Sequence, residues 1–259
     1  EFGLQQQLGQ ITAIEMSAFY KDIRDLLAVQ SVRYESQKYG PSNYAIYMNK
    51  DYGNVKGYTF SLTKRYDPIS KTSAFVDYTY QVTEGNSVNS GSFYYNALSG
   101  EQEEKRIVPL AWDQRHIFNT NFSVGDPRNW NLGIISKLSS GWPYTPNIPD
   151  ANYVPQPNSG RKPWQWRVDM RIHKNFKIRN LNYIFYMKVY NLLDRRNERY
   201  VFDDTGRAGY TYVFQSTQET QGFKNHYGEP GVHEWSEYQV RPNYYTAPRS
   251  INMGFSVDF

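Results

Sequence analysis

The chain has 259 residues, of which 24 are tyrosine and none is cysteine, and its formal net charge is +4 at pH 7. Without cysteine, neither a disulfide framework nor a thiolate metal site is possible, and the basic residues are too dispersed to indicate nucleic-acid binding. The mean hydropathy is −0.76 and there is no apolar run of about 18 residues, which excludes a membrane-spanning helix.

Alternation of apolar and polar residues predicts about nine strands. The first four are separated by a tight turn, by a polar loop at 39–42 and by a turn at Asp67 and Pro68. Their apolar positions are Phe2, Leu4 and Leu8; Ile14, Met16, Ala18 and Tyr20; Tyr58, Phe60 and Leu62; and Ala74, Val76, Tyr78, Tyr80 and Val82. Alternation with period two is typical of strands that have one apolar face and one polar face.

After a long polar stretch from Glu84 to Asp113, the fifth and sixth strands are joined by a turn at 126–129. Their apolar face is formed by Phe118, Thr120, Phe122 and Val124 and by Trp130, Leu132, Ile134 and Leu138. A proline-rich loop from Gly141 to Pro163 follows, as its six prolines indicate.

The seventh strand gives the strongest evidence for a membrane. It alternates Trp164, Trp166, Val168, Met170 and Ile172 with Gln165, Arg167, Asp169, Arg171 and His173. Charged residues opposite apolar ones, with two tryptophans at one end, are typical of a strand between a watery lumen and lipid, with an interfacial aromatic belt.

The eighth and ninth strands repeat this pattern. The eighth has Leu181, Tyr183, Phe185, Met187 and Val189 on one face and Lys188 on the other, and the ninth alternates from Ser250 to Phe259. We interpret Phe255, Val257 and Phe259 as a terminal barrel-assembly signal on the lipid face.

Short turns alternate with long loops along the whole chain, which predicts an all-β transmembrane antiparallel β-barrel with short periplasmic turns and long extracellular loops. A large soluble β-sandwich or propeller shares the composition, but it has no reason to keep its long loops at one end. Because an odd set of strands does not close in the usual even-stranded way, we expect further strands before Glu1.

Several motifs resemble the C-terminal part of the barrel of a TonB-dependent outer-membrane receptor, especially the Oar-like receptors with a carboxypeptidase-regulatory-like extension. They are Phe2–Leu8, Ala18–Arg24, Asp51–Gly57, Trp112–His116, Ser140–Pro146 and Val189–Asn197, with Phe259 as the terminal aromatic residue. Each motif is weak alone, and their order and spacing carry the resemblance.

The resemblance implies that residues 1–259 are the last strands of one barrel domain of roughly 22 strands. Its plug domain and N-terminal strands would lie in the same longer chain, outside these residues, and TonB would contact that absent N-terminal part. The implied function is energy-coupled uptake of a large substrate by an integral protein of the bacterial outer membrane, in contact with outer-membrane lipid. The alternatives are a non-transporting scaffold or secretion component with a surface lipoprotein or other envelope subunits, and a passive porin.

Two sets of candidate site residues follow. Rigid aromatic side chains in the loops are the candidates for substrate contact: Trp142, Tyr144, Trp235, Tyr238 and Tyr244. Charged side chains on the polar faces of the seventh and eighth strands are the candidates for facing the lumen and the plug: Arg167, Asp169, Arg171, His173 and Lys188.

No catalytic residue, metal site or cofactor is expected. Asp113, Arg115 and His116 form the one compact acid–base set at a predicted strand rim, and we expect Asp113 and Arg115 to form a salt bridge that holds the loop to the strand. Two imidazoles and two carboxylates in His226–Glu234 are more consistent with a solvated loop than with a metal site, and Asp203–Asp204 with a plain turn.

Overall fold

The computed structural model describes residues 1–38, 40–86, 106–147, 155–179, 181–212 and 241–258. These ranges contain twelve strands and one short 3-10 helix, Pro242–Tyr244. The strands are β1 (Phe2–Leu8), β2 (Thr12–Ser36), β3 (Gly40–Asp67), β4 (Thr72–Gly85), β5 (Val108–Pro109), β6 (His116–Asp126), β7 (Trp130–Ser139), β8 (Pro143–Tyr144), β9 (Gly160–Arg161), β10 (Gln165–Ile178), β11 (Leu181–Tyr190) and β12 (Ser250–Asp258). Among the described residues, no helix is long and apolar enough to cross a membrane.

Nine of these strands form one antiparallel sheet in the order β1-β2-β3-β4-β6-β7-β10-β11-β12, which confirms the predicted strands. Each strand pairs with the strand before it in this order, so the sheet is a simple meander. The short strand β5 pairs with the end of β4, and β8 and β9 form a separate two-stranded sheet. Within the described residues β1 and β12 are edge strands, and the sheet is open.

The connections fall into the two predicted classes, except for the short connection between β2 and β3. Four turns of two to four residues, 9–11, 68–71, 127–129 and 179–180, lie at one end of the sheet. They use ordinary turn chemistry: the Asp67 carboxylate accepts hydrogen bonds from the backbone N–H groups of Ile69 (3.0 Å) and Ser70 (3.1 Å). The long connections 86–115, 140–164 and 191–249 start and finish at the opposite end, which we call the loop end.

The predicted loop at 39–42 is wrong, because Gly40, Pro41 and Ser42 belong to β3. Strands β2 and β3 stay paired as far as Ser36 and Gly40, whereas pairing of β3 with β4 stops at Gly53. Residues 26–51 therefore form a two-stranded ribbon beyond the sheet, which we call the projecting hairpin. It begins at a β-bulge between Ile23 and Leu26, where Asp25 has a φ of 59°. Such bulges bend a strand away from its sheet.

The apolar positions form one continuous face across all nine strands. Cross-strand register aligns them in rows, of which two are Leu62, Val76, Thr120, Ser136 and Val168, and Phe122, Ile134, Met170, Val189 and Ile251. No second layer covers this face in the described residues, and Met253 remains 63% exposed. A water-soluble sheet buries its apolar face, so this surface is typical of one that contacts lipid.

Aromatic rings border the apolar face at both ends. At the loop end Tyr80 and Trp164 each lie near His116, with ring centroids 5.1 and 5.6 Å apart. At the turn end Phe176, Tyr183 and Phe255 lie within 6.2 Å of one another. The eleven residues from Trp166 to Phe176 extend about 34 Å along β10, or about 26 Å across a membrane at a strand tilt of about 40°. This height matches the apolar band of outer-membrane barrels, about 25 Å.

Candidate ligand site at the loop end

The opposite face of the sheet is polar, and its side chains hydrogen-bond across strands. The Ser61 hydroxyl donates to the Asp77 carboxylate (3.0 Å), and the Asn119 amide donates to the same carboxylate (3.3 Å). Ser17 and Thr59 share a hydroxyl hydrogen bond of 2.5 Å. Such a face is suited to water or to a polar partner rather than to lipid.

All five residues predicted to face the lumen lie on this polar face. Arg171 is directly opposite Lys188, and the Arg167 Nε donates to the Asp169 carboxylate at 2.9 Å. Asp169 also accepts a hydrogen bond from the backbone N–H of Asn191 (2.8 Å), so one carboxylate joins β10 to the end of β11. Among the described residues, Arg171 and Lys188 have no carboxylate oxygen within 4 Å. The row is therefore net positive.

A cleft of about 450 Å³ opens at the loop end of the polar face. It brings the predicted loop residue Trp142 together with the predicted lumen residue Arg167. The other residues that line it are Lys137, Ser139, Gln165, Tyr190, Asn191, Asn197, Thr246, Ala247, Pro248 and Ser250. Its size and its combination of aromatic, cationic and amide groups are those of a small-ligand pocket.

The floor of this cleft is held by two asparagines from the predicted penultimate-strand motif. Asn191, with a φ of 53°, donates from its amide to the carbonyls of Arg195 and Ala247, each at 3.1 Å. The Asn197 amide accepts from the Trp166 N–H and donates to the Trp166 carbonyl, both at 2.9 Å. The Asn197 side chain thus takes the place of a neighbouring strand and satisfies the backbone N–H and carbonyl of Trp166 at the start of β10.

Asp113 anchors the rim beside the cleft, and its side chain is fully buried. The predicted salt bridge with Arg115 is confirmed at 3.3 Å, and the backbone N–H of Thr83 donates to the same carboxylate at 2.8 Å. Arg161 adds a second guanidinium, which contacts both the carboxylate and the carbonyl of Asp113. Sequence reasoning missed Arg161 because it lies 48 residues away, in the proline-rich loop.

Tyr144 lies in the loop packing rather than on an open surface. Its ring contacts Gly160 in the paired strand and Gly206 in the next loop. Burial, together with the negative charges of Asp203 and Asp204, raises the pKa of the Tyr144 hydroxyl. Asp204 in turn accepts a hydrogen bond from the Thr211 hydroxyl at 2.8 Å. Tyr144 is therefore placed to support the rim.

The close approach of Tyr144 predicts a sharp steric effect at Gly160. A Cβ added there would lie 2.5 Å from the Tyr144 ring, whereas a Cβ at Gly133 would have its nearest neighbour at 3.9 Å. We expect Gly160→Ala to displace the ring and destabilise the rim by about 1–3 kcal/mol, and Gly133→Ala to have little effect. Limited proteolysis of the loop 141–163 measures the difference, and equal cleavage of the two variants would contradict the expectation.

The remaining predicted site residues fall in different places. Tyr244 lies in the 3-10 helix, with its ring 5.2 Å from that of Phe202. Trp235, Tyr238, Phe259 and the segment His226–Glu234 lie outside the described residues. Among the described residues, no group of three or more histidine, aspartate or glutamate side chains is arranged to hold a metal ion.

Comparison with known proteins identifies the fold. No protein-family model matches the chain, and no curated protein matches it. Among solved structures, the chain is similar to the outer-membrane transporter YddB from Escherichia coli, with 15% identity, a TM-score of 0.55, and coverage of 76% of this chain and 28% of that one. It is also similar to the ferric-catecholate import receptor Fiu from E. coli K12 in its closed form, with 16% identity, a TM-score of 0.46, and coverage of 78% and 24%.

The chain spans about a quarter of the length of these two proteins. At these identities the likeness concerns the fold alone, and the match to YddB carries it. The match to YddB agrees with the meander order of the strands and with the opposed polar and apolar faces of the sheet. The chain has the fold of part of an outer-membrane transporter barrel, which confirms, at the level of fold, the predicted resemblance to part of a TonB-dependent receptor barrel.

Proposed function

We propose that the chain forms the C-terminal strands of an outer-membrane receptor that takes up a large substrate with energy supplied through TonB. The observation that carries this proposal is the cleft at the loop end. It lies on the polar, cationic face of the sheet, and the opposite face of the same sheet is apolar. A ligand held there would lie at the outer mouth of the lumen. The transporter fold supports the same function.

The polar face is the proposed contact surface for a plug domain of the same longer chain. Arg171, Lys188 and Lys137 lie on this face, and the described residues supply few carboxylates to neutralise them. A folded plug with acidic side chains would provide the missing charge-assisted hydrogen bonds, which are strong where water is excluded.

Uptake by the full-length protein tests the proposal. Strains with and without the full-length gene are grown on single large carbon or metal sources, which include acidic and neutral oligosaccharides, peptides and metal chelates. We expect at least one source to support growth only when both this gene and the TonB gene are intact. Growth that is independent of this gene on every source would contradict the proposal, and growth that needs the gene but not TonB would indicate a passive pore.

Trp142 is expected to contribute directly to ligand binding in the cleft. It is 43% exposed, and its carbonyl accepts the backbone N–H of Lys162 at 3.0 Å, so the residue is held in place with its ring available. We expect Trp142→Ala to weaken binding of the imported ligand about tenfold or more. Trp130→Ala is the matched control, since Trp130 is equally exposed but begins β7 at the turn end. An equal effect of the two variants would contradict this role.

The projecting hairpin favours a second candidate function, a scaffold that binds another surface protein. Neither strand of the ribbon 26–51 pairs with a third strand among the described strands, and Leu27 is 51% exposed. A two-stranded ribbon is rarely stable in water without further packing. Purification of the full-length protein from outer membranes discriminates the functions, because a stoichiometric partner that is lost when 26–51 is deleted would favour the scaffold.

A further inference from the structure

Three cationic side chains surround three aromatic rings in the loops that follow β9 and β11. We call this group the basic aromatic cluster: Lys162, Arg199, Arg241, Tyr200, Phe202 and Tyr244. The rings of Tyr200 and Phe202 lie 5.9 and 5.2 Å from that of Tyr244. These residues come from three separate segments of the chain and belong to neither predicted set of site residues, Tyr244 excepted.

Each cation lies over a ring. The Arg199 guanidinium is 5.2 Å from the centroid of Tyr200, and that of Arg241 is 5.3 Å from the centroid of Phe202 and 5.2 Å from that of Tyr244. A guanidinium whose flat face is stacked on a ring still presents its N–H groups at the edge. Those edges match the two oxygens of a carboxylate, sulfate or phosphate.

Backbone hydrogen bonds hold the cluster together. The N–H groups of Arg199 and Tyr200 donate to the Tyr244 carbonyl at 2.7 and 3.1 Å. The Lys162 ammonium donates to the Arg199 carbonyl at 3.1 Å and lies 5.9 Å from the Tyr200 ring. The Arg241 guanidinium donates from one nitrogen to the Tyr244 hydroxyl at 2.9 Å, which leaves its other N–H groups available. Hydrogen bonds therefore position the side chains of Lys162 and Arg241 and the backbone of Arg199.

Within the described residues, the cluster has no carboxylate partner for its cations. Among the described residues, no carboxylate oxygen lies within 4 Å of the charged nitrogens of its three cations, whereas Arg207 in the same loop layer pairs with Glu198 at 2.9 Å. Lys162 is half-buried, and this burial lowers the pKa of its amine against a smaller opposing effect of Asp203. Three cations in one cluster, with no carboxylate contact among the described residues, favour binding of an anion.

We propose that the basic aromatic cluster binds an anionic saccharide. The oxyanion would lie between the guanidinium edges of Arg199 and Arg241, and a sugar ring would pack on the exposed part of Tyr200, which is 47% exposed. Aromatic faces suit sugar rings because they supply rigid apolar contact at little entropic cost. Binding needs no energy source, and only import of the bound ligand depends on the proposed uptake function.

Binding to the full-length protein in nanodiscs tests this proposal. Heparin oligosaccharides, oligogalacturonates and size-matched neutral dextran are titrated in solution, and lipid A is incorporated in the nanodisc bilayer as the membrane source of the same chemistry. We expect one acidic probe to bind at least tenfold more tightly than dextran, and Arg199→Gln with Arg241→Gln to weaken it at least tenfold, since charge-assisted hydrogen bonds are lost.

The matched control is Arg196→Gln with Arg128→Gln, which removes the same charge from exposed positions that contact no ring among the described residues. If a soluble acidic probe binds, the ligand is a free acidic glycan. If only lipid A binds, and the cluster variants weaken that binding, the ligand is a glycolipid headgroup. The proposal is overturned if no acidic probe binds, if dextran binds equally well, or if the control pair weakens binding as much as the cluster pair. Import that is unaffected by the cluster variants would contradict this inference alone, whereas binding without import would contradict only the uptake function.

Discussion

Replacement of Asp113 by asparagine is expected to destabilise the rim at the loop end by about 3–5 kcal/mol, because it leaves two guanidinium groups without their shared anion. The Asp113 side chain is fully buried and is contacted by Arg115, Arg161 and the backbone N–H of Thr83. An asparagine amide retains one acceptor oxygen but carries no charge. The strand pair β8–β9 should then separate from the end of β4.

The measurement is limited proteolysis of the full-length protein in detergent, with the cleavage rate in 141–163 as the readout. Asp126→Asn is the matched control, since Asp126 holds the turn at the opposite end through a hydrogen bond from the Arg128 N–H at 3.0 Å and has no salt bridge among the described residues. We expect faster cleavage only in Asp113→Asn. Unchanged cleavage would show that Arg161 and Arg115 contribute little to closure of the rim.

The two faces of the sheet were predictable from sequence because a period of two is a local property. Each strand has to place its apolar residues on the same side, so Met170 and Val189 were assigned to one face before their pairing was known. The short turns were predictable for a similar reason, as Asp67 and Asp126 cap backbone N–H groups within three residues.

The parts that sequence reasoning missed depend on contacts between distant segments. Arg161 meets Asp113 only because β9 folds back over the rim, and Arg199 meets Tyr244 only because the two ends of the connection 191–249 run side by side. The projecting hairpin was missed for a different reason. Its residues Leu27, Ala28 and Val29 are apolar on consecutive positions, so the ribbon has no single apolar face to produce an alternating pattern.

Because the two faces of the sheet differ, a charge introduced at neighbouring positions of β12 should have different effects on the stability of the fold. Met253 lies on the apolar face opposite Met187, and Asn252 lies on the polar face opposite Lys188. We expect Met253→Lys to destabilise the folded barrel by about 2–4 kcal/mol, the cost of a cation on the lipid face near the bilayer centre. Asn252→Lys adds the same charge one residue away and should cost much less, because its side chain lies on the polar face.

Urea unfolding of the full-length protein in phospholipid vesicles measures both variants, with loss of heat-modifiable migration in gels as a second readout. Both variants introduce the same residue and the same charge. Asn252→Lys also places its ammonium directly opposite Lys188, so its cost includes like-charge repulsion and is an upper limit for a cation on the polar face. If the apolar face were covered by protein in a soluble assembly, removal of lipid would leave the wild type folded, and Met253→Lys would release a partner subunit. If Met253→Lys lowers the free energy of unfolding only in the presence of the bilayer, this face contacts lipid. If the two variants lower it equally, the two faces do not separate lipid from water.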